Sequence, residues 1–219
     1  MLKESLTQDH IAAANSLYRL CPYWQFSTEA LDELAARLPG FDSRVVLLKV
    51  VAVNALYGTN VMAIIRMAEH VKSVVATTDL ETAGPELVET LAALPKTEDQ
   101  KHARSHFSFA SKFANFFIDS ERFPIMDQYS EMMVSFHLGK SNLVRDADHR
   151  YADYVENIRQ LHTAANLTCS SRELDRYLWL AGEYRTWLKK PHAQISTEMR
   201  ALFTRPSAEI ATELKTILT

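Results

Sequence analysis

Glycine, cysteine and long apolar runs are all scarce in this chain, and each scarcity argues against a class of protein. The 219 residues include five glycines and seven prolines, which disfavours the many tight turns of a β-rich fold and a glycine-lined phosphate-binding loop. Cys21 and Cys169 form no CxxC pair, so we expect buried thiols in a reducing compartment. The polar N-terminus has no signal-peptide pattern, and no apolar run approaches the roughly 18 residues of a membrane span. We therefore expect a soluble, cytoplasmic protein without membrane contacts.

Net charge and the absence of known motifs exclude further classes of function and cofactor. The formal net charge is −3, whereas a protein that coats nucleic acid is usually basic; a compact site that touches a few phosphates is still compatible with this balance. The eight histidines form no HExxH or HxH pair, and two cysteines cannot hold a four-cysteine iron–sulfur cluster. The patterns GxxxxGK[ST], GxSxG and GxGxxG are absent. The sequence therefore predicts no metal and no other cofactor.

Hydrophobic periodicity is helical almost throughout, which predicts an all-α protein of roughly nine to eleven helices. Ser27 is a candidate N-cap for a helix that Pro39 and Gly40 end. The most apolar stretch, residues 43–56, is long for a strand and is predicted to be a core helix. The predicted helices are 6–20, 28–38, 43–56, 61–76, 86–94, 108–117, 128–138, 150–165, 171–189 and 194–218.

Three segments carry a resemblance to a known family. Residues 91–95 have the pattern LxxLP, residues 108–112 are SFASK, and residues 123–127 are FPIMD. Together they resemble the helix–hairpin–helix DNA glycosylase superfamily, in which LxxLPGVGxKxAxxx precedes xPVDxH. The similarity is greatest to the 8-oxoguanine DNA glycosylase branch and to small bacterial relatives with SFASK and FPIxD. The resemblance implies an all-α, two-lobed, glycosylase-like fold with a cleft between the lobes.

The chain departs from the family pattern in its hairpin and in its spacing. Ser108 and Ala110 occupy the positions of hairpin glycines, which permit a positive φ and close approach of the backbone to a phosphate. The connection from Pro95 to the SFASK segment is longer than in the family, and the interval from Lys112 to Asp127 is a few residues shorter. The implied organisation is a single unit, 1–219, with one lobe at approximately 45–95, a hairpin and catalytic lobe at 96–170, and residues 1–44 and 171–219 packed around them.

Lys112 and Asp127 occupy the two catalytic positions that the resemblance implies. Breaking an N-glycosidic bond builds positive charge on the sugar, and a carboxylate such as that of Asp127 can stabilise this charge or deprotonate the attacking nucleophile. A neutral lysine can attack the C1′ carbon and form a Schiff base that permits strand cleavage, and the phenylalanines around Lys112 favour the neutral form. Spacing alone favours plainer roles: a lysine whose ammonium extends into water, and an aspartate that caps helix 128–138. The joint occurrence of the three segments favours catalysis.

A second group, Tyr57, Thr59 and Asn60, lies between two predicted apolar helices. In the superfamily this position presents a residue to the minor groove, where it fills the gap left by the flipped nucleotide. The resemblance makes these three residues candidates for that role. The alternative is that Tyr57 belongs to the core, Gly58 is a helix C-cap, and Thr59 or Asn60 is the next N-cap. Both interpretations stay open at this point.

A third group lies on the late helix 171–189, where Asp175 and Trp179 are spaced i, i+4 and share one face. In the 8-oxoguanine branch a late helix supplies residues that stack on the extruded base and form hydrogen bonds with it. The implied base pocket therefore contains Trp179 as a stacking platform and Asp175 as a reader of the base edge, with His106 and Phe107 nearby. The alternative is that Trp179 is an ordinary core residue.

Contacts to the phosphates of duplex DNA would come from backbone amides, one hydroxyl and several basic side chains. The candidate residues are Ser108, Ala110, Ser111, Lys101, Arg104, Lys140 and Arg145.

The implied function is a DNA glycosylase that flips out a modified base and excises it, with or without a lyase step. Its partner is double-stranded DNA that contains a modified base, in repair or in defence against phage DNA with bulky modified bases. No obligate protein partner is evident. The alternatives are a catalytically inactive DNA-binding protein with the glycosylase fold and a helical protein-interaction module.

Overall fold

The structure, a computed structural model, describes residues 2–96, 105–146, 148–191 and 195–219. Within these ranges it contains eleven α-helices and no β-strand, which confirms the all-α prediction. In the same ranges no helix has an apolar stretch long enough to cross a membrane. The helices are α1 (Gln8–Tyr18), α2 (Pro22–Arg37), α3 (Ser43–Tyr57), α4 (Ile64–Thr77), α5 (Glu86–Ala92), α6 (Phe107–Phe117), α7 (Gln128–Leu138), α8 (Arg150–Ala164), α9 (Ser171–Lys189), α10 (Thr197–Thr204) and α11 (Ala208–Thr216).

Side-chain caps explain the boundaries that local sequence predicts correctly. α3 begins after Asp42, whose carboxylate accepts hydrogen bonds from two of the first backbone N–H groups of the helix, at 2.9 and 3.2 Å. α9 begins after Ser170, which forms a capping box with Glu173. The predicted helices 128–138 and 171–189 are confirmed with the same bounds.

A distant carboxylate explains why α2 begins earlier than predicted. The helix starts at Pro22 instead of residue 28, so Ser27 lies inside it and is not its N-cap. Proline is favoured in the first turn of a helix because its missing N–H needs no partner there. The carboxylate of Glu198 accepts hydrogen bonds from the N–H groups of Tyr23 and Trp24 at 3.0 and 3.2 Å. This cap is 174 residues away in sequence and leaves no local signal.

A proline divides the last predicted helix. The expected single helix 194–218 is wrong, because Pro206 cannot continue a helix and clashes with the preceding turn. α10 therefore ends at Thr204, and α11 begins after Ser207, whose side chain accepts a hydrogen bond from the N–H of Ile210.

The chain forms two compact units whose segments alternate along the sequence. The first unit consists of Met1–Phe26, Asp127–Val144 and Glu156–Thr219, and the second of Ser27–Met126 and Arg145–Val155. The predicted border near residue 95 falls inside the second unit, where α5 packs against α6. The predicted lobe 96–170 contains residues of both units.

In the first unit α9 packs against both α1 and α7, and α1 also packs against α11. α9 lies close to α7 at Gly182: a Cβ atom built there lies 2.8 Å from Tyr129 Cβ and 2.9 Å from the Tyr129 carbonyl oxygen. Only a residue without a side chain allows α7 and α9 to come this close at position 182.

Further along α9, the ring of Trp187 stacks on that of Tyr184 with 6.1 Å between centroids, and lies 5.6 Å from the ring of Phe203.

In the second unit α3 packs against α4 and α6, and α5 packs against α4 and α6. Two tyrosine hydroxyls fix the FPIM part of the FPIMD segment. Tyr151 donates to the carbonyl of Pro124 at 2.8 Å, and Tyr154 donates to the carbonyl of Ile125 at 2.7 Å. These hydrogen bonds satisfy buried carbonyls in a segment that contributes to no helix.

Replacing Gly182 with alanine is expected to lower the free energy of unfolding by about 1–2 kcal/mol, because overpacking against Tyr129 costs more than the roughly 1 kcal/mol that alanine gains over glycine in a helix. Urea denaturation measures this change. Gly40→Ala is the matched control: no atom lies within 4 Å of a Cβ built there, so its stability should stay within about 0.5 kcal/mol of wild type. Equal stability of wild type and Gly182→Ala would contradict the close contact.

Candidate functional site

Lys112 lies on α6 with 4% of its surface exposed. Its Nζ donates to Ser108 Oγ at 3.1 Å, one turn earlier on the helix, and lies 5.9 Å from the centroid of the Tyr57 ring. The same helix buries Phe109 and Phe113 completely. Lys112 is therefore buried, and an ammonium that extends into water does not fit a side chain buried to this degree.

The SFASK segment is part of a continuous helix and not a hairpin turn, because residues 107–117 all belong to α6. Ala110 is fully buried, and its N–H donates to the carbonyl of His106 at 2.9 Å. Ser111 is also fully buried; its hydroxyl accepts from the N–H of Met126 at 3.0 Å and donates to the Met126 carbonyl at 3.3 Å. Internal hydrogen bonds thus take the place of the phosphate contacts expected at Ala110 and Ser111.

The connection between α3 and α4 is organised by the side chain of Asn54. Its Oδ1 accepts hydrogen bonds from Thr59 Oγ1 at 2.9 Å and from the N–H of Val61 at 2.8 Å. Gly58 is the C-cap of α3 with a φ of 56°, as the alternative interpretation predicted. The N-cap of α4 is Ala63, so the same interpretation is wrong about Thr59 or Asn60 as the next N-cap.

The three candidates for the minor groove differ in exposure. Tyr57 is half-buried: its hydroxyl lies 3.2 Å from Thr28 Oγ1, and its ring centroid lies 5.4 Å from that of Phe116. Thr59 is half-buried as well, whereas Asn60 is exposed and has a φ of 57°. The loop therefore presents Asn60 to solvent and turns Tyr57 toward α6.

Asp127 is the N-cap of α7, which confirms the capping interpretation. Its Oδ1 accepts hydrogen bonds from the N–H groups of Tyr129 and Ser130, both at 3.1 Å, and Ser130 Oγ accepts from the N–H of Asp127 at 2.9 Å. The side chain is half-buried. A carboxylate in this position is stabilised by the N-terminal end of the helix dipole, so a catalytic role and a capping role are compatible.

Three rings of the first unit, Trp24, Tyr129 and Trp179, form what we call the aromatic cluster. The Trp179 centroid lies 4.6 Å from that of Trp24 and 6.3 Å from that of Tyr129, whose ring meets it edge-on. Trp179 and Asp175, one turn apart on α9, are both half-buried. The cluster adjoins Asp127 along the chain, because Tyr129 is in the first turn of α7.

Sequence reasoning missed Glu183 on α9. Its side chain is 5% exposed, and its Oε2 atom is buried without a hydrogen-bond partner. Burial, with the charge of Asp127 as the smaller cause, raises the pKa of Glu183 to about 7. Burial first, and then the charges of Glu183 and Asp127, raise the pKa of Tyr129. One signal was available, because Glu183 follows Trp179 by four residues and so lies on its helix face.

A second buried lysine, Lys49 on α3, was also missed. It is 1% exposed; its Nζ donates to the carbonyl of Gly40 at 3.0 Å and lies 4.1 Å and 4.8 Å from the ring centroids of Phe41 and Phe117. Burial lowers the pKa of Lys49 to about 8. The signal for its burial is its spacing of three residues from Val46, which is fully buried on the same helix.

The remaining candidates divide between the two units. His106, the N-cap of α6, and Phe107 are half-buried in the second unit, and the guanidinium of Arg150 lies 5.2 Å from the Phe107 ring centroid. Lys140 of the first unit and Arg145 of the second are both exposed. Lys101 and Arg104 lie outside the described residues.

Among the residues that are described, no group of three or more His, Cys, Asp or Glu is placed to hold a metal ion, and both cysteines are free thiols.

Part of the chain matches a model of a known protein family. Residues 7–121 match the family model HI_0787_N, described as an N-terminal domain. The match covers more than half of the chain, which therefore belongs to this family. The matched residues include α1 to α6 and Lys112, and they end before Asp127. No curated protein matches the chain, and no solved structure does either.

The cap at the start of α7 can be tested by stability alone. Asp127→Ala is expected to lower the free energy of unfolding by about 1 kcal/mol, because two backbone N–H groups lose their acceptor. Asp127→Asn is expected to stay within about 0.5 kcal/mol of wild type, since an asparagine side chain caps helices nearly as well. Urea denaturation of both variants provides the measurement, and equal losses in both would contradict the capping geometry.

Proposed function

We propose that this member of the HI_0787_N family is a DNA glycosylase, which flips a modified base out of duplex DNA and cleaves its N-glycosidic bond. The two-lobed glycosylase-like fold is part of the proposal. The sequence resemblance in SFASK and FPIMD supports it. The structural observation that carries it is the carboxylate of Asp127 at the start of α7, in the same unit as the aromatic cluster.

Asp127 supplies the negative charge in this mechanism. As the bond between C1′ and the base nitrogen breaks, the sugar acquires oxocarbenium character, and a nearby carboxylate stabilises it. Two backbone N–H groups already orient the Asp127 carboxylate, so it needs little reorganisation when the charge develops. The base leaves with the bonding electron pair and takes up a proton.

Lys112 supplies the nucleophile. Its Nζ attacks C1′, and loss of a proton and opening of the sugar give a Schiff base, from which β-elimination cuts the strand. The contact with Ser108 Oγ and the burial of the side chain limit its freedom, which favours a positioned nucleophile. If water attacks instead, the enzyme is monofunctional and Lys112 is not the nucleophile.

The proposal assigns the base to Trp179 and Asp175 of the first unit. His106 and Phe107, of the second unit, stay candidates for base contacts from the sequence resemblance. Stacking on a tryptophan face is a common way to hold an extruded base. It assigns DNA contacts to Tyr57, Thr59, Asn60 and Ser108, and to the exposed charges of Lys140 and Arg145.

Base release is the direct test. We expect the wild-type chain to release one base from a panel of DNAs that includes phage DNA with modified pyrimidines, and Asp127→Asn to lower the rate about 100-fold or more. Mass spectrometry identifies the base, and alkaline cleavage measures abasic sites. Asp42→Asn is the matched control, because Asp42 caps α3 in the same manner far from the proposed chemistry in sequence. Its rate should equal that of wild type.

Borohydride trapping separates the mechanisms. If Lys112 is the nucleophile, the wild-type chain and Lys49→Gln form a covalent protein–DNA complex and Lys112→Gln does not. Peptide mapping of the adduct identifies the attached lysine directly. Base release without trapping indicates a monofunctional enzyme. Salt-dependent DNA binding without release from any DNA would refute catalysis and leave a DNA-binding protein. If the chain neither binds DNA nor releases a base, the alternative of a helical protein-interaction module is supported.

A further inference from the structure

Glu183 and Asp127 are two carboxyl groups of the first unit. The surroundings of Asp127 favour its ionised form, whereas those of Glu183 disfavour it. Asp127 receives hydrogen bonds from two backbone N–H groups at a helix N-terminus, which favour a carboxylate. Glu183 is 5% exposed, and its Oε2 has no hydrogen-bond partner. A buried carboxylate without donors is costly, whereas the acid form avoids that cost.

The contact between α9 and α7 explains why the two carboxyl groups influence each other. Glu183 directly follows Gly182, whose backbone touches Tyr129 in the first turn of α7. That turn is capped by Asp127, and the charge of Asp127 acts on Glu183. The packing of the helices thus brings a buried acid of α9 to the capped end of α7.

Three acidic groups of neighbouring elements interact electrostatically with Glu183. Tyr129 and Asp127 belong to the start of α7. Cys21, before α2, has its pKa raised to about 12 by burial first, and then by the charges of Glu198 on α10 and of Glu183. Each of these groups, when ionised, opposes a negative charge on Glu183.

We propose that Glu183 holds a proton near neutral pH and acts as a positioning residue for Asp127, keeping the negative charge of the pair on the capping carboxylate. This inference rests on the proposed function, in which that charge stabilises the sugar. Two charged carboxylates repel each other, one buried at Glu183 and one half-buried at Asp127, whereas one acid and one carboxylate do not.

The direction of the pKa shift gives a signature in stability. Because the pKa of Glu183 is raised from 4.5 to about 7 on folding, the folded chain binds this proton more tightly than the unfolded chain does. The contribution of Glu183 is therefore most favourable below its unfolded pKa, and stability is lost as the pH rises through about 7. Glu183→Gln, which carries no titrating proton, should lose this slope, and Glu209→Gln, an exposed carboxyl on α11, should retain it.

Carbon-13 NMR of the glutamate carboxyl groups tests the proton directly in the full chain. We expect one carboxyl to titrate near pH 7, to be missing in Glu183→Gln, and to titrate at lower pH in Asp127→Asn, which removes the neighbouring charge and keeps a cap. Titration of Glu183 in the range of an exposed glutamate, at about 4.3, overturns the proposal. So does an unchanged titration in Asp127→Asn.

Single-turnover base release between pH 5.5 and 8.5 tests the positioning role. The wild-type rate should fall above about pH 7, where Glu183 ionises, and the inflection should be absent in Glu183→Gln. An inflection that persists in Glu183→Gln overturns the role while the glycosylase function stands. If no DNA releases a base at any pH, the proposed function fails, and the NMR titration decides on its own whether Glu183 holds a proton near neutral pH under the influence of Asp127.

Discussion

The close contact between α7 and α9 at Gly182 determines the arrangement of the first unit. Because residue 182 has no side chain, the backbone of α9 reaches Tyr129, and the ring of Trp179 meets Tyr129 edge-on. The same contact places Glu183 in the interior and within the influence of Asp127. The contact of Trp179 with Tyr129 and the burial of Glu183 therefore both lie beside the one position where the two backbones touch.

Helix boundaries were predictable where the signal lay within a few residues. Asp42 and Ser170 cap the helices that follow them, and α3 and α9 begin where these residues indicate. The start of α2 depends instead on Glu198, which no local window contains. Pro206 indicated a break between α10 and α11, but the helical periodicity on both sides of it favoured one continuous helix. Local chemistry thus sets most ends, and tertiary contacts set the rest.

The candidate site was predictable in part for the same reason. The cap formed by Asp127 follows from its place at the start of α7. Spacing alone favoured an ammonium in water for Lys112, and the fold buries that side chain instead. The burial of Glu183 and of Lys49 depends on which helices lie against them, so composition and spacing gave only weak signals. Ser111 illustrates the converse: its hydroxyl looked available in the sequence, and the fold engages it with Met126.

The distribution of tryptophan has a spectroscopic consequence. Trp24 and Trp179 belong to the aromatic cluster, Trp187 stacks on Tyr184, and all three tryptophans of the chain lie in the first unit. Indole emission therefore monitors the first unit alone, whereas circular dichroism of the peptide bonds monitors the helices of both. Unfolding curves recorded by the two methods would coincide if the units lose structure together and would separate if they melt one after the other, without any label introduced into the chain.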